Sequence, residues 1–408
     1  MSGQLFARVA TGPDHPKWTA AVTRPSPLYQ RPHDVRGPFW RDYNRIIHCR
    51  AYRRLKHKTQ VFFAAQNDHL CTRIEHVNHV AAVSETIATE LGLNVVLARA
   101  IAVGHDLGHA PFGHDGEQVL SRLLADHGGD RFWHERNSLW FADRIETLED
   151  PEGWARNLCL TYAVRDGMIC HCGEVEHEYL VPRDEVLDLY QIPAAGGTPP
   201  FTWEGCVVRL ADKLAYLGRD LEDARLLGIL DQGQERQLQV ILAEATGTPP
   251  LGVSNTAILH ELILDLCRQS RPEHGLRWSD RHRELLHRLQ AFSEEHIYNH
   301  ERLEYYRGYA ALVLESLFDL LIRQYDGAGT AARVDQARAR FPQLMGVFAA
   351  WLVQYAGTDD QEKERQRWAN PRVYRLDQVG EYGRCVVHFL SGMTDAFALK
   401  TFAEVTTF

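Results

Sequence analysis

HDLGHAPFGHDGE, His105–Glu117, decides how the rest of this chain is read. The adjacent His105-Asp106 pair closes an apolar helical stretch and sets a neutral nitrogen ligand beside a carboxylate. His109 follows one helical turn after His105. Gly108, Pro111 and Gly113 then bend the chain, which returns His114 and Glu117 toward the same place. Borderline divalent metals favour such a mixture of imidazole and carboxylate. A solitary His-Asp pair is common by chance; the density of titratable groups is what separates this stretch from satisfied structural histidines.

On both sides of it the pattern is helical. Val77, Val80, Ala81, Ser84, Ile87, Ala88 and Leu91 recur at helical spacing, and Gly92 follows as a stop. Asn94 caps a next helix running through Leu97, Ala100, Ile101 and His105. Further helices are predicted over 117–124, 137–148, 154–166, 206–227, 256–270, 279–295, 303–325, 331–354 and 382–405. Residues 167–204 hold Pro182, Pro193, Gly196, Gly197, Pro199 and Pro200 and read as a loop-rich insertion. Residues 356–372 read as a polar connection. The expectation is one all-α fold: an N-terminal segment 1–48, a core 49–230 carrying the insertion 167–204, and a helical region 231–408 packed on that core.

Composition narrows the function classes. The chain has 408 residues, 45% apolar and 24% charged, with a formal net charge of −9. That charge argues against a protein whose main work is coating nucleic acid. The N-terminus MSGQLFARVATGPDHPKW lacks a basic start followed by an apolar run, so it does not read as a secretory signal. No stretch approaches the roughly 20 apolar residues that span a bilayer. The eight scattered cysteines form no framework, so a cytoplasmic protein with reduced thiols is expected. There is no phosphate-cradling P-loop, so ATP-driven work is not indicated.

Two more elements complete a candidate metal site. His76 opens a helix in TRIEH, and Asp212 lies in LADKLAYLGRDLEDA. On the latter helix Leu210, Leu214, Leu217 and Leu221 form a core-facing stripe, while Asp212, Tyr216, Arg219 and Asp220 form a polar one. The polar stripe fits a pocket wall or a solvated salt-bridged face, and spacing leaves both open. The basic run Arg50, Arg53, Arg54, Lys56 and Lys58 reads first as a solvated helix face. Cys170, His171 and Cys172, with His177 nearby, lack the second pair that a structural zinc site requires and read as a loop beside the pocket. His57, His69 and His79 read as solvated or satisfied core residues, and Tyr298, Tyr305, Tyr306 and Tyr309 as helix packing.

With these residues in view, the chain resembles the dGTP triphosphohydrolase family of the HD superfamily, including the animal HD-domain dNTP triphosphohydrolase. The resemblance covers most of the chain: RDYNRIIHCRAYRRLKHKTQVF, TRIEH, HDLGHAPFGHDGE, FWHERNS, DKLAYLGRD and FLSGMTDAFAL occur in the family's order. It implies an HD-domain helical fold with a C-terminal helical extension. It implies His76, His105, Asp106 and Asp212 as ligands of a divalent metal ion, one of Mg, Mn, Fe, Co or Zn. His114, Glu117 and His134 are implied as catalytic groups. Arg54, Gln60, Arg73, Lys213 and Arg219 are implied as substrate contacts, with Tyr216 and Asp220 near the sugar. Cys71 and Ala396 depart from the family pattern, each standing where arginine is usual.

The implied reaction is metal-dependent hydrolysis of a deoxynucleoside triphosphate to deoxynucleoside and inorganic triphosphate. Cleavage at the α-phosphorus leaves the sugar O5′ in need of a proton, and an imidazole is the natural donor. His114 is the first choice for it and His134 the second. Expected partners are the dNTP substrate, an activating nucleotide, single-stranded nucleic acid and further copies of the chain, with no membrane. Two alternatives remain: an HD phosphohydrolase acting on nucleoside monophosphates or a signalling nucleotide, and a nucleotide-sensing or nucleic-acid-binding protein without turnover.

Overall fold

Three short helices, α1 (Trp18–Ala21), α2 (Pro38–His48) and α3 (Arg50–Arg54), lead into the first long one, α4 (Arg73–Leu91). The computed structural model describes residues 4–30, 32–63, 67, 69–127, 129–173, 179–246 and 255–407. Helix α4 starts where Thr72 and Glu75 form a capping box, the Thr72 N–H donating to Glu75 Oε2 at 2.8 Å. It stops at Gly92, whose φ of 81° few other residues adopt cheaply. Asn94 Oδ1 then accepts from the Leu97 N–H and starts α5 (Val95–Gly104). Both ends agree with the spacing of the sequence.

Helix α5 delivers His105 at its C-terminal end, and the next residues turn sharply. Phe112 (φ 63°) and Gly113 (φ 64°) are both left-handed, and α6 (Gly113–Asp126) starts there, four residues before the predicted 117. Helix α7 (His134–Trp140) runs into a π turn, Phe141–Ile145. The predicted helices 137–148 and 154–166 are interrupted by a hairpin, β1 (Thr147–Glu149) and β2 (Ala155–Asn157), in antiparallel register with Leu148 opposite Arg156. The reason lies in the turn between them: Asp150 Oδ1 accepts from the N–H groups of Glu152 and Trp154, and Gly153 has φ 82°. Helix α8 (Tyr162–Ile169) follows, then the largely irregular insertion, then α9 (Trp203–Leu226).

The core that positions the site is α4 packed along α5 and α9, with α5 also against α2 and α8. Leu210, Leu214, Leu217 and Leu221 on α9 are all fully buried. Each such leucine contributes about 2 kcal/mol relative to exposure, which keeps α9 in place although its other face is acidic.

The remaining helices are α10 (Gln232–Thr246), α11 (Asn255–Gln269), α12 (Asp280–Ser293), α13 (Glu301–Ile322), α14 (Thr330–Ala337), α15 (Pro342–Ala356), α16 (Asp360–Arg365), α17 (Val379–Ser391) and α18 (Asp395–Thr406). Helix α10 was not expected. The predicted helix 331–354 is two, because Pro342 cannot donate to a preceding turn and instead begins α15. The predicted 382–405 is also two: Thr394 Oγ1 accepts from the Phe397 N–H and caps a new helix after Gly392. Helix α13 lies against α6, α17 and α18, and one hydrophobic core runs from Phe6 to Ala398. The protein is all-α, the hairpin being the only sheet among the described residues. None of the described helices is long and apolar enough to cross a membrane. The cysteines form no disulfide.

Candidate active site

The end of α5 and the buried faces of α4 and α9 bring four side chains together. His76 Nε2 lies 2.9 Å from Asp212 Oδ1, and His105 Nε2 lies 3.8 Å from the same oxygen and 3.5 Å from Asp106 Oδ2. His105 Nδ1–H donates to the Ala102 carbonyl at 2.7 Å, which leaves Nε2 with a free lone pair. That Nε2 is buried and has no hydrogen-bond partner. An orphaned imidazole nitrogen between two carboxylates fits a divalent cation held by His76, His105, Asp106 and Asp212. Burial opposes ionising Asp106, but the surrounding charges, the Arg73 guanidinium 3.0 Å away among them, outweigh it and hold the carboxyl well below the usual range. Asp212 is held down too, burial being outweighed by the hydrogen bond from His76. Both acids are thus anionic before any ion arrives.

Beside this group stands a second one. Glu117, on the first turns of α6, accepts from two histidines: Oε2 is 3.0 Å from His114 Nδ1, and both oxygens are 3.1 Å from His134 Nδ1. Burial works against the Glu117 anion, yet His134 and His114 keep it well below the ordinary carboxylate range. Burial likewise disfavours a charged His134, but Glu135, Glu117 and Asp106 prevail and lift the ring to about 10. His109 is fully buried, and burial together with Arg73 pushes it far down, so it is neutral. His114 differs from its neighbours in being 61% exposed, at the mouth of a cavity.

That cavity, of about 550 Å³, is bounded by Gln60, His114, Tyr216, Asp220, Tyr298 and Arg307 among others. Tyr298 Oη donates to Asp220 Oδ2 at 2.7 Å, whereas Asp220 Oδ1 and Gln60 Oε1 are buried without partners. Burial raises Asp220 to about 7, in spite of the Tyr298 hydrogen bond. The loop floor is fastened from far along the chain. Asp395 accepts from the Phe112 N–H at 3.0 Å, the Thr59 N–H at 2.9 Å and the Thr59 hydroxyl at 2.5 Å. Lys58 donates to the carbonyls of His109 and Ser391. Asn137 Nδ2 donates to the Gly108 carbonyl at 2.5 Å, and the Gly108 N–H to Ser138 Oγ at 2.9 Å.

Several expected substrate contacts sit elsewhere. Arg54 is turned away: its guanidinium donates to Glu146 at 2.7 Å and borders a separate cavity with Arg50, Trp351 and Trp368, because the buried Glu146 captures it. Arg73 is buried and committed to Asp106 at 3.0 Å and to the Thr59 and Gln60 carbonyls. Arg219 faces Glu222 and His79 at 3.2 and 3.1 Å. Neither it nor the buried Lys213 is among the cavity's lining residues. Tyr298 is a wall of the cavity rather than mere helix packing, and Arg307, paired with Asp115 at 3.2 Å, is another wall that the sequence did not single out. The Cys170 thiol points to Asp166 and Arg183, and His177 lies outside the described residues.

A helical core with a His-Asp turn and facing histidine and aspartate ligands defines an HD-domain, metal-dependent phosphohydrolase. The HD domain family profile matches residues 73–217, from the start of α4 to the middle of α9. A deoxyguanosinetriphosphate triphosphohydrolase-like protein of Caldanaerobacter subterraneus subsp. tengcongensis is 32% identical over 375 residues, 91% of this chain and 86% of that protein. Proteins of the same description from Paracoccus denitrificans and Geobacter metallireducens are 32% and 33% identical, each over 91% of this chain and covering 93% and 89% of their own lengths. The chain belongs to the deoxyguanosinetriphosphate triphosphohydrolase-like family of HD-domain proteins.

Proposed function

We propose that this enzyme hydrolyses deoxynucleoside triphosphates to a deoxynucleoside and inorganic triphosphate, with His76, His105, Asp106 and Asp212 holding the metal. The observation that carries this reading is the cavity beside that cluster. It offers two buried, unpartnered acceptors, Asp220 Oδ1 and Gln60 Oε1, near the tyrosine rings of Tyr216 and Tyr298. Its volume is within the ordinary range for small-molecule sites, roughly 300–1,000 Å³. Asp220 can accept from a sugar hydroxyl, and the Tyr216 ring packed under the sugar leaves little room for a 2′-hydroxyl.

When bound, a divalent ion supplies Lewis acidity toward a phosphoryl oxygen and lowers the pKa of water. Attack at the α-phosphorus makes O5′ the leaving group. His114 is the group to protonate it: the ring faces the cavity, and Glu117 on Nδ1 orients it and leaves Nε2 for the substrate. His134, buried behind it on the same carboxylate, orients Glu117 and takes the second choice as acid. Arg73 acts through Asp106, as a positioning residue. Arg307, on the cavity wall, is the cation to neutralise the β and γ phosphates. The test is a matrix of metals and nucleotides with products separated by chromatography, run in ¹⁸O-labelled water. The label should enter triphosphate and not the nucleoside. Orthophosphate, or a monophosphate with pyrophosphate, would reverse the substrate in the pocket and remove the acid role from His114.

A further inference from the structure

Four side chains lie together beside the Glu117 group, and the proposed reaction uses only one of them. His134, Glu135, His171 and Cys172 each offer a ligand atom, and these atoms all lie within 4.8 Å of one another. We propose that they form a second cation site, selective for a soft divalent ion of the zinc class and sharing no residue with the first. His171 Nδ1 is 2.7 Å from the Met168 carbonyl, which fixes the proton there. Its Nε2, on a ring only 1% exposed, has no hydrogen-bond partner. That is the tautomer of a metal-bound histidine whose outer nitrogen is held by a carbonyl.

Cys172 Sγ is 3.7 Å from His134 Nε2. Ligands around a tetrahedral zinc, with bonds of about 2.3 Å to sulfur and about 2.0 Å to nitrogen, stand about 3.5 Å apart. Glu135, 2% exposed, has a carboxylate oxygen within 4.8 Å of the other three ligand atoms, and its Oε2 has no hydrogen-bond partner; it supplies the oxygen. Gly173, next to Cys172, is held in place: at φ 124° it abuts Gly196 so closely that a Cβ would come within 2.5 Å of its Cα. Cys172 is itself partly exposed, which gives the ion a way in. The thiolate selects a soft ion over magnesium or calcium. On binding, the Cys172 thiol proton and the proton on His134 Nε2 both pass to solvent, and a sulfur–metal and a nitrogen–metal bond replace them. Where the reading of His134 above holds, an ion on its Nε2 also withdraws that ring from the reaction, so excess zinc slows turnover.

The direct test does not depend on activity. Metal-stripped protein is saturated with Co²⁺ and its near-ultraviolet spectrum recorded. Wild type should bind two ions per chain and show a thiolate-to-cobalt charge-transfer band. Cys172→Ser should lose the band and one ion, and Cys170→Ser, two residues away with its thiol turned elsewhere, should keep both. His171→Gln, with folding checked by circular dichroism, should also fall to one ion. A saturated wild type without the band, or a band that persists in Cys172→Ser, overturns the site. Failure of the phosphohydrolase reading would leave these spectra unchanged.

Discussion

Replacing Gly108 by alanine separates the steric framework of the site from its chemistry. A Cβ built at Gly108 falls 2.3 Å from both Asn137 C and Ser138 N, and 2.5 Å from Asn137 O. These are backbone atoms of α7, so no rotamer change relieves the overlap. Ordinary contact begins at 3.4 Å, so α7 and the His105 turn must part by about 1 Å, a strain of roughly 1–3 kcal/mol. The separation stretches the Asn137–Gly108 and Gly108–Ser138 hydrogen bonds together. It also carries His134, the first residue of α7, away from Asp106. A displacement of about 1 Å near reacting groups costs on the order of 100-fold in rate. Gly108→Ala should therefore remain helical by circular dichroism, unfold at lower urea, and hydrolyse dGTP about 100-fold more slowly. Gly197→Ala, where a Cβ meets nothing within 4 Å, is the control and should behave as wild type. A Gly108→Ala enzyme with native rate and native urea midpoint would show that the close approach of α7 does not constrain the site.

His105→Ala, Asp106→Ala and Asp212→Ala should each abolish turnover and lower bound metal measured by elemental analysis; full occupancy in all three would refute the ligand set. Tyr216→Ala should narrow the preference for dGTP over GTP, read as a ratio of kcat/KM, and equal use of both sugars by wild type would remove that role. Lys58 makes a pH prediction. Burial, with Arg54 adding to it, pushes its amine down to about 7, while an unfolded lysine keeps its proton to about 10.4. The unfolded chain thus binds more protons between these values, and this group makes stability rise with pH from about 7 to 10, by an amount on the order of 4 kcal/mol. Urea unfolding at pH 7 and pH 9 should show that rise in wild type and a flatter one in Lys58→Met; identical slopes would sink it.

What the sequence displayed was what is local. The limits of α4 and the start of α5 follow from Thr72, Glu75, Gly92 and Asn94, each acting within four residues. The leucine stripe of α9 is buried as its spacing requires. What escaped was either punctuation or distance. Pro342 and the Asp150–Gly153 turn are local breaks that override the apolar periodicity running across them. By contrast, nothing near Tyr298 announces that a π turn after α12 aims it at Asp220, and nothing near Arg54 announces Glu146. Such pairings depend on tertiary packing between segments far apart in the chain. The polar stripe shows the limit: Asp212 and Asp220 turn inward, while Arg219, on the same stripe, turns to His79.

The fastening of the catalytic loop by Asp395 has a consequence for synthesis. Asp395 lies 283 residues after Phe112 and 336 after Thr59, whose backbone donors it receives. Until a ribosome has translated that far, the Phe112 and Thr59 amides have no such acceptor, and α18 is not there to hold α13 over α6. The nascent HD segment can form its helices early, yet its loop closes only once Asp395 and α18 have been made. A polypeptide stalled or truncated before α18 thus carries His76, His105, Asp106, His114 and Asp212 without the clasp that Asp395 puts on the loop between them.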